Sequence, residues 1–335
     1  MIAIFDSGHG GLTVLRTLAA RFPDQPFLYF GDHANVPYGN RPSAEVIDLT
    51  RRGVVTLFER GAKLVLLCCN TATAVAAREL QQHWLPTSGW QGRNVLGIVA
   101  PTVEAATQTA WAVTAPQYPQ KYNTDTIAVF GTTRTVASGV YREEITKRCP
   151  RARVIEQVCP GLVAAIEAGA LRDELDGHVR AAVDAMLAQA GASTEAGISA
   201  GARADAGEAG ALAAPQVAKE VASEAAREAT LGNARYALMP PHRAILGCTH
   251  FPLVEDLFRA HLPSFTRLLP QPDIVADSLE DYLQRHPAYA RPHDATGIAN
   301  EPAGKRVHLL TSGSVDHVNA TARLFWPEAP QFERL

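Results

Sequence analysis

Lys63-Leu64-Val65-Leu66-Leu67-Cys68-Cys69-Asn70-Thr71 and Arg243-Ala244-Ile245-Leu246-Gly247-Cys248-Thr249-His250 are the two stretches that decide how this chain is read. Each is an apolar run of strand length that reaches a cysteine and then passes into small polar residues. Each also has a companion upstream. Ile2-Ala3-Ile4-Phe5-Asp6-Ser7-Gly8 precedes the first, and Ile127-Ala128-Val129-Phe130-Gly131-Thr132-Thr133 precedes the second. The order of strand and hydroxyl loop, then strand and cysteine loop, therefore occurs twice. That repetition predicts two related halves.

Outward from these stretches, apolar runs at 2–5, 27–30, 63–69, 95–99, 127–130, 154–158, 244–248 and 307–310 read as buried strands. Segments at 11–21, 44–60 and 73–84 carry apolar residues at helical spacing. Strand–helix alternation predicts an α/β fold: two pseudo-symmetric α/β domains, with parallel-type sheets flanked by helices. In such sheets ligands sit beyond the carboxyl ends of the strands. The interval between the paired strands is longer in the second copy by about 50 residues, and 191–235, rich in Ala, Gly, Glu and Ser, accounts for the excess. It reads as a low-complexity insertion within the second domain, without a chemical role. Its glycine-interrupted part, 192–214, is expected to be disordered, and 216–230 to form a solvated helix.

The 335 residues are 47% hydrophobic, enough for two modest globular domains. A formal net charge of −3 argues against nucleic acid or an acidic membrane as partner. No apolar run approaches the roughly 20 residues that span a bilayer. No basic segment followed by a long apolar stretch opens the chain. A soluble, cytoplasmic protein is expected. Five cysteines are an odd number for a disulfide scaffold, so free thiols are expected in a reducing cytosol.

A helix following Cys69 or Cys248 would aim backbone N–H groups at the thiol and favour its anion. Either cysteine taken alone reads better as a buried packing residue. Their matching contexts favour chemistry. Metal binding is disfavoured: there is no CxxC, no HxxxH and no second cysteine close to Cys248. Neighbouring side chains on a strand point to opposite faces, so Cys68 is expected to pack away from Cys69. Cys149 and Cys159, each followed by proline, read as structural. The loop Asp6-Ser7-Gly8-His9-Gly10-Gly11 fits neither GxGxxG nor a P-loop. Its glycines suit tight turns and close backbone approach to a small ligand. Asp6 is placed to bind an ammonium group, to assist a neighbouring base, or to cap a helix.

Together these residues resemble bacterial glutamate racemase, of the aspartate/glutamate racemase superfamily. The resemblance rests on Phe5-Asp6-Ser7-Gly8, on Gly31-Asp32 with Pro37-Tyr38-Gly39, on Cys69-Asn70-Thr71-Ala72-Thr73-Ala74, and on Leu246-Gly247-Cys248-Thr249-His250-Phe251-Pro252. It continues through Gly131-Thr132, Thr135, Ser138 and Tyr141, through Cys159-Pro160, Glu167 and Gly169, and to Thr311-Ser312-Gly313. It covers nearly the whole chain except 191–235. His9, the loop His33-Ala34-Asn35-Val36 and Phe251 depart from the usual pattern.

The resemblance implies one discontinuous domain of 1–98 plus 273–335 and a second of 99–272, with the active site in the cleft between them. It implies interconversion of L- and D-glutamate for peptidoglycan synthesis, with no pyridoxal phosphate and no metal. Cys69 would take the proton from the D-isomer, assisted by Asp6. Cys248 would take it from the L-isomer, assisted by His250 and Glu167. Substrate-binding residues would be Asp6, Ser7, Pro37, Tyr38, Gly39, Asn70, Thr71, Thr132, Thr135, Thr249 and His250. Members of the family commonly form homodimers through differing interfaces, so the resemblance admits a homodimer without fixing its geometry. An aspartate or hydantoin racemase, a silent amino-acid-binding protein and a thiol redox sensor are the competing readings.

Overall fold

The computed structural model describes residues 1–110, 113, 115–116, 125–204, 240–290 and 306–335, with backbone alone for 192–204. Its strands are β1 (Ile2–Asp6), β2 (Phe27–Gly31), β3 (Leu64–Leu67), β4 (Asn94–Gly97), β5 (Thr126–Gly131), β6 (Arg153–Val158), β7 (Arg243–Gly247), β8 (Arg267–Leu269), β9 (Val307–Thr311) and β10 (Phe332–Arg334). A six-stranded sheet has the order β10-β9-β2-β1-β3-β4, and a four-stranded sheet the order β6-β5-β7-β8. Every pairing in both is parallel. Parallel neighbours require crossover connections, which is why helices separate the strands in sequence. Strands β1, β2, β3, β5 and β7 are buried along their whole length, which accounts for their unbroken apolar runs.

The repeat seen in the sequence is also a repeat in topology. The inner part of the first sheet, β2-β1-β3-β4, has the same order as β6-β5-β7-β8. The two halves also exchange helices. Helix Val99–Thr107 follows β4 of the first sheet but packs on β7 and β8 of the second. Helix Gln271–Arg285 follows β8 but packs on helix Leu12–Arg21 of the first half. The exchanged helices also touch each other, so the two crossings lie side by side.

Cys68 is fully buried in a core with Ile2, Ile4 and Leu66, whereas Cys69 belongs to the opposite core with Ala3, Phe5 and Leu67. Strand alternation at this pair thus follows the sequence expectation. Strands β8 and β10 were not expected. At three residues each, they are too short to show a periodicity. The helix expected over 73–84 begins earlier, at Asn70, and passes through a π-helical turn at Leu80–Trp84 into a last α-helical turn at Leu85–Thr87.

One expectation is corrected. Residues 192–204, expected to be disordered, continue the helix Arg172–Ala204. Its first part is anchored by buried Val179, Val183 and Met186. Beyond these, alanine density carries the helix past glycines that cost about 1 kcal/mol each. The remainder of the insertion, 205–235, and the helix expected over 216–230 lie outside the described residues. Among the described residues no helix is long and apolar enough to cross a membrane.

Candidate active site

The carboxyl ends of β1, β3, β5 and β7 open on one cavity of about 450 Å³, a size suited to a small molecule. The first half contributes Ser7, Pro37, Tyr38, Gly39, Cys69, Asn70 and Thr71 to its lining. The second contributes Thr132, Cys159, Glu167, Cys248, Thr249 and His250. Cys69 and Cys248 therefore share one cleft.

Cys69 is the N-cap of helix Asn70–Glu79. Its Sγ accepts from the Ala72 N–H at 3.4 Å and lies 3.3 Å from Ser7 Oγ. Burial, reinforced by the charge of Asp6, pushes the thiol up to about 12, against the pull of the Ser7 and Ala72 bonds. Asp6 ends β1 beneath this site and does not line the cavity. Its Oδ1 accepts from the Gly8 N–H at 2.8 Å, and its buried Oδ2 has no hydrogen-bond partner among the described residues. Burial raises its carboxyl to about 6.

Cys248 has different company. A 3₁₀ turn, Phe251–Val254, follows it before the short helix Glu255–His261, so no α-helix starts at the thiol. That corrects the expected match with Cys69; Pro252, early in the turn, suits the tighter winding. The partner of Cys248 is His250, whose Nδ1 lies 3.7 Å from Sγ. His250 Nε2 lies 2.9 Å from Glu167 Oε1. Burial would lower the imidazole, but bonds to Cys248 and Glu167 outweigh it and raise His250 to about 10. Glu167, despite burial, is held well below the carboxylate range by His250 and His9. Close approach of the two halves depends on Gly10: a Cβ there would lie 2.3 Å from Thr249 Oγ1 and 2.6 Å from His250 Nδ1.

Thr71, Thr132 and Thr135 join the halves by hydroxyl contacts, with Thr71 3.0 Å from Thr132 and 3.3 Å from Thr135. Thr132 caps helix Thr133–Ser138 and faces the cavity, whereas Thr135 lies fully buried behind it. Asn70 reaches the cavity wall, but its side chain is engaged elsewhere. Its amide donates to Gln271 Oε1 at 2.5 Å, and its Oδ1 accepts from Tyr141 Oη at 2.6 Å and from Gln271 Nε2 at 3.1 Å. The Pro37-Tyr38-Gly39 loop is tethered by the Tyr38 hydroxyl, which donates to Asp32 Oδ2 at 2.7 Å. Ser312 Oγ donates to Asp32 Oδ1 at 2.7 Å, which brings the C-terminal Thr311-Ser312-Gly313 stretch to the same loop.

Two residues escaped the sequence reading. Cys159, expected to be structural, lines the cavity, its thiol pushed up by burial. Gln271, fully buried, bonds Asn70, Tyr141 and Thr102 at the crossing of the exchanged helices. Neither has a polar partner near it in sequence, so no local pattern marks them. Among the described residues, no group of three or more His, Cys, Asp or Glu is arranged to hold a metal ion.

No family model matches the chain. Individual relatives do. A glutamate racemase of Phenylobacterium zucineum (strain HLK1) is 39% identical over 339 residues, spanning 99% of each chain. One of Caulobacter sp. (strain K31) is 41% identical over 338 residues, again spanning 99% of each. The chain belongs to the glutamate racemase family. Solved glutamate racemases share its fold. That of Bacillus anthracis, isoform RacE1, superposes with a TM-score of 0.70 at 22% identity, covering 100% of this chain and 97% of its own. That of Thermus thermophilus, solved with β-chloro-D-alanine, gives 0.67 at 24% identity, covering 100% and 96%.

Proposed function

We propose that this glutamate racemase family member interconverts L- and D-glutamate by a two-base mechanism, with Cys69 and Cys248 on opposite faces of the α-carbon. The observation that carries the proposal is that both thiols line one cavity and each has its own set of proton partners. Residues 1–98 with 273–335 form one domain and 99–272 the other, so each contributes one cysteine. D-Glutamate is the product supplied to peptidoglycan synthesis.

In the L-to-D direction, the Cys248 thiolate takes the α-proton. The C–H pair flows toward the substrate carboxylate, and the Cys69 thiol gives its proton to the opposite face as the pair returns to carbon. Cys248 ends as thiol and Cys69 as thiolate, and the reverse reaction exchanges the roles. The resting state suits this assignment, because Cys69 stays protonated at neutral pH. His250 exchanges the proton of Cys248, oriented by Glu167; Asp6 assists Cys69 from beneath.

An amino-acid α-proton is a very weak acid, so the carbanion needs donors already aimed at the carboxylate in a site that excludes water. Ser7, Thr71, Thr132 and Thr249 supply hydroxyls to the cavity wall. The Tyr38 loop covers the site, while Asn70 and Thr135 hold the surrounding frame.

Incubating each glutamate enantiomer with the protein in deuterated water tests this reading. The product isomer is expected to carry solvent deuterium at the α-carbon. Product that keeps the original hydrogen would sink the two-base mechanism, and activity on aspartate alone would sink the substrate assignment.

A further inference from the structure

His9, in the loop after β1, and His33, in the loop after β2, meet in the fold. Their rings lie 4.2 Å apart, edge to face, and His9 also stacks on Phe325 at 5.6 Å. His9 is 4% exposed. Its Nε2 lies 3.1 Å from the Val318 carbonyl, in helix Val315–Phe325, and its Nδ1 lies 3.6 Å from Glu167 Oε1. A carbonyl only accepts, so Nε2 carries a proton. The other ring nitrogen, Nδ1, faces the Glu167 carboxylate.

We infer that His9 is a positioning residue for the Cys248 half of the reaction: it anchors Glu167 to the C-terminal helix and so holds the carboxylate against His250. Two imidazoles converge on one carboxylate oxygen, His250 at 2.9 Å and His9 at 3.6 Å. The side chain of Glu167 is 29% exposed and ends the short helix Leu162–Glu167, so His9 adds a second contact, from the C-terminal helix side, to the one His250 makes. His33 backs the ring. Its Nδ1 is engaged by Gly31 O at 2.9 Å and Thr311 Oγ1 at 2.8 Å, and burial lowers it to about 3, leaving it neutral. Among the described residues, charged or titratable groups around the pair include Glu167, His250 and Asp6 and, near His33, His317 and the adjoining Asp32.

This inference rests on the racemase reading for its consequence, but its direct test does not need turnover. The test compares alkylation of Cys248 and Cys69 by iodoacetamide in one sample, peptide by peptide, near neutral pH. His9→Phe keeps the stacked ring and removes both nitrogens. His9→Asn keeps an amide donor near the Nδ1 position. His9→Phe is expected to change the Cys248 rate about tenfold, the scale of one bond to a charged group, while leaving Cys69 within about twofold. His9→Asn should restore most of the difference, and kcat/KM should follow the same order. Equal change at both cysteines, or none at Cys248, would overturn the inference, as would failure of His9→Asn to recover. If the parent protein shows no α-proton exchange, the racemase reading fails while the alkylation ratio still decides the role of His9.

Discussion

Cys69 and Cys248 end equivalent strands of two equivalent sheets, yet the fold surrounds them differently. Cys69 sits at a helix N-terminus beside a hydroxyl, over a buried carboxyl with one oxygen unpaired among the described residues. Cys248 lacks the helix and has instead a chain of side chains through His250 to Glu167 and His9. The symmetry is one of backbone, and the asymmetry one of proton supply. On the proposed mechanism each thiol serves one enantiomer, so the two unlike environments would act on opposite directions of one reaction.

The largest expected effect comes from removing either thiol. Cys69→Ala and Cys248→Ala should each lower racemisation by about 10³-fold or more, measured by optical rotation with either enantiomer. Near-parental racemisation by Cys248→Ala would end the comparison, because only one cysteine would then matter. Next comes the side-chain relay. Glu167→Gln should lower kcat/KM by about 10²-fold. Enantiomers have equal free energy in water, so the fall must be the same for L- and D-glutamate, and any asymmetry appears only in separate kcat and KM values. A variant at parental kcat/KM would show that Cys248 does not depend on the relay.

The two sites should also differ in how pH affects stability. His250 has a folded pKa raised from 6.5 to about 10, so its stabilisation is complete below the first value and fades as pH rises through the second. Asp6 has its carboxyl raised from 3.8 to about 6, so its protonated form favours the fold, and stability falls as pH rises between those values. Urea midpoints for His250→Gln and Asp6→Asn, compared with the parent across pH, should flatten the alkaline and the acid window respectively. A change in the opposite window would reverse the assignment. The smallest effect is expected at the joint between the halves. Gln271→Ala leaves Asn70 and Tyr141 short of a partner and should cost about 1–3 kcal/mol in denaturant unfolding. An unchanged midpoint would show that this buried network does not hold the two cysteines in register.

Much of this was legible in one dimension. Buried parallel strands leave continuous apolar runs, so β1, β3, β5 and β7 could be located, and the residues ending two of them marked Cys69 and Cys248; Ser7 and Thr132 were singled out only by the family resemblance. The short strands β8 and β10 could not be seen, because three residues establish no period. Helix Arg172–Ala204 ran further than its glycines suggested, because alanine propensity outweighed them. Cys159 and Gln271 were missed for one shared reason: their partners lie far away in the chain.

The sequence by itself determined the α/β class, the duplicated strand order and the pairing of the two cysteines. Those follow from local patterns: apolar runs of strand length and the residues that end them. Only the tertiary structure decided that both thiols open on one cavity, that helices are exchanged between the halves, that no α-helix starts at Cys248, and that His9 reaches Glu167. Hydrogen bonds and ion pairs depend on distances of a few ångströms between atoms up to hundreds of residues apart, as with His9 and Val318 at 3.1 Å. No spacing along the chain encodes such a distance until the sheets have packed.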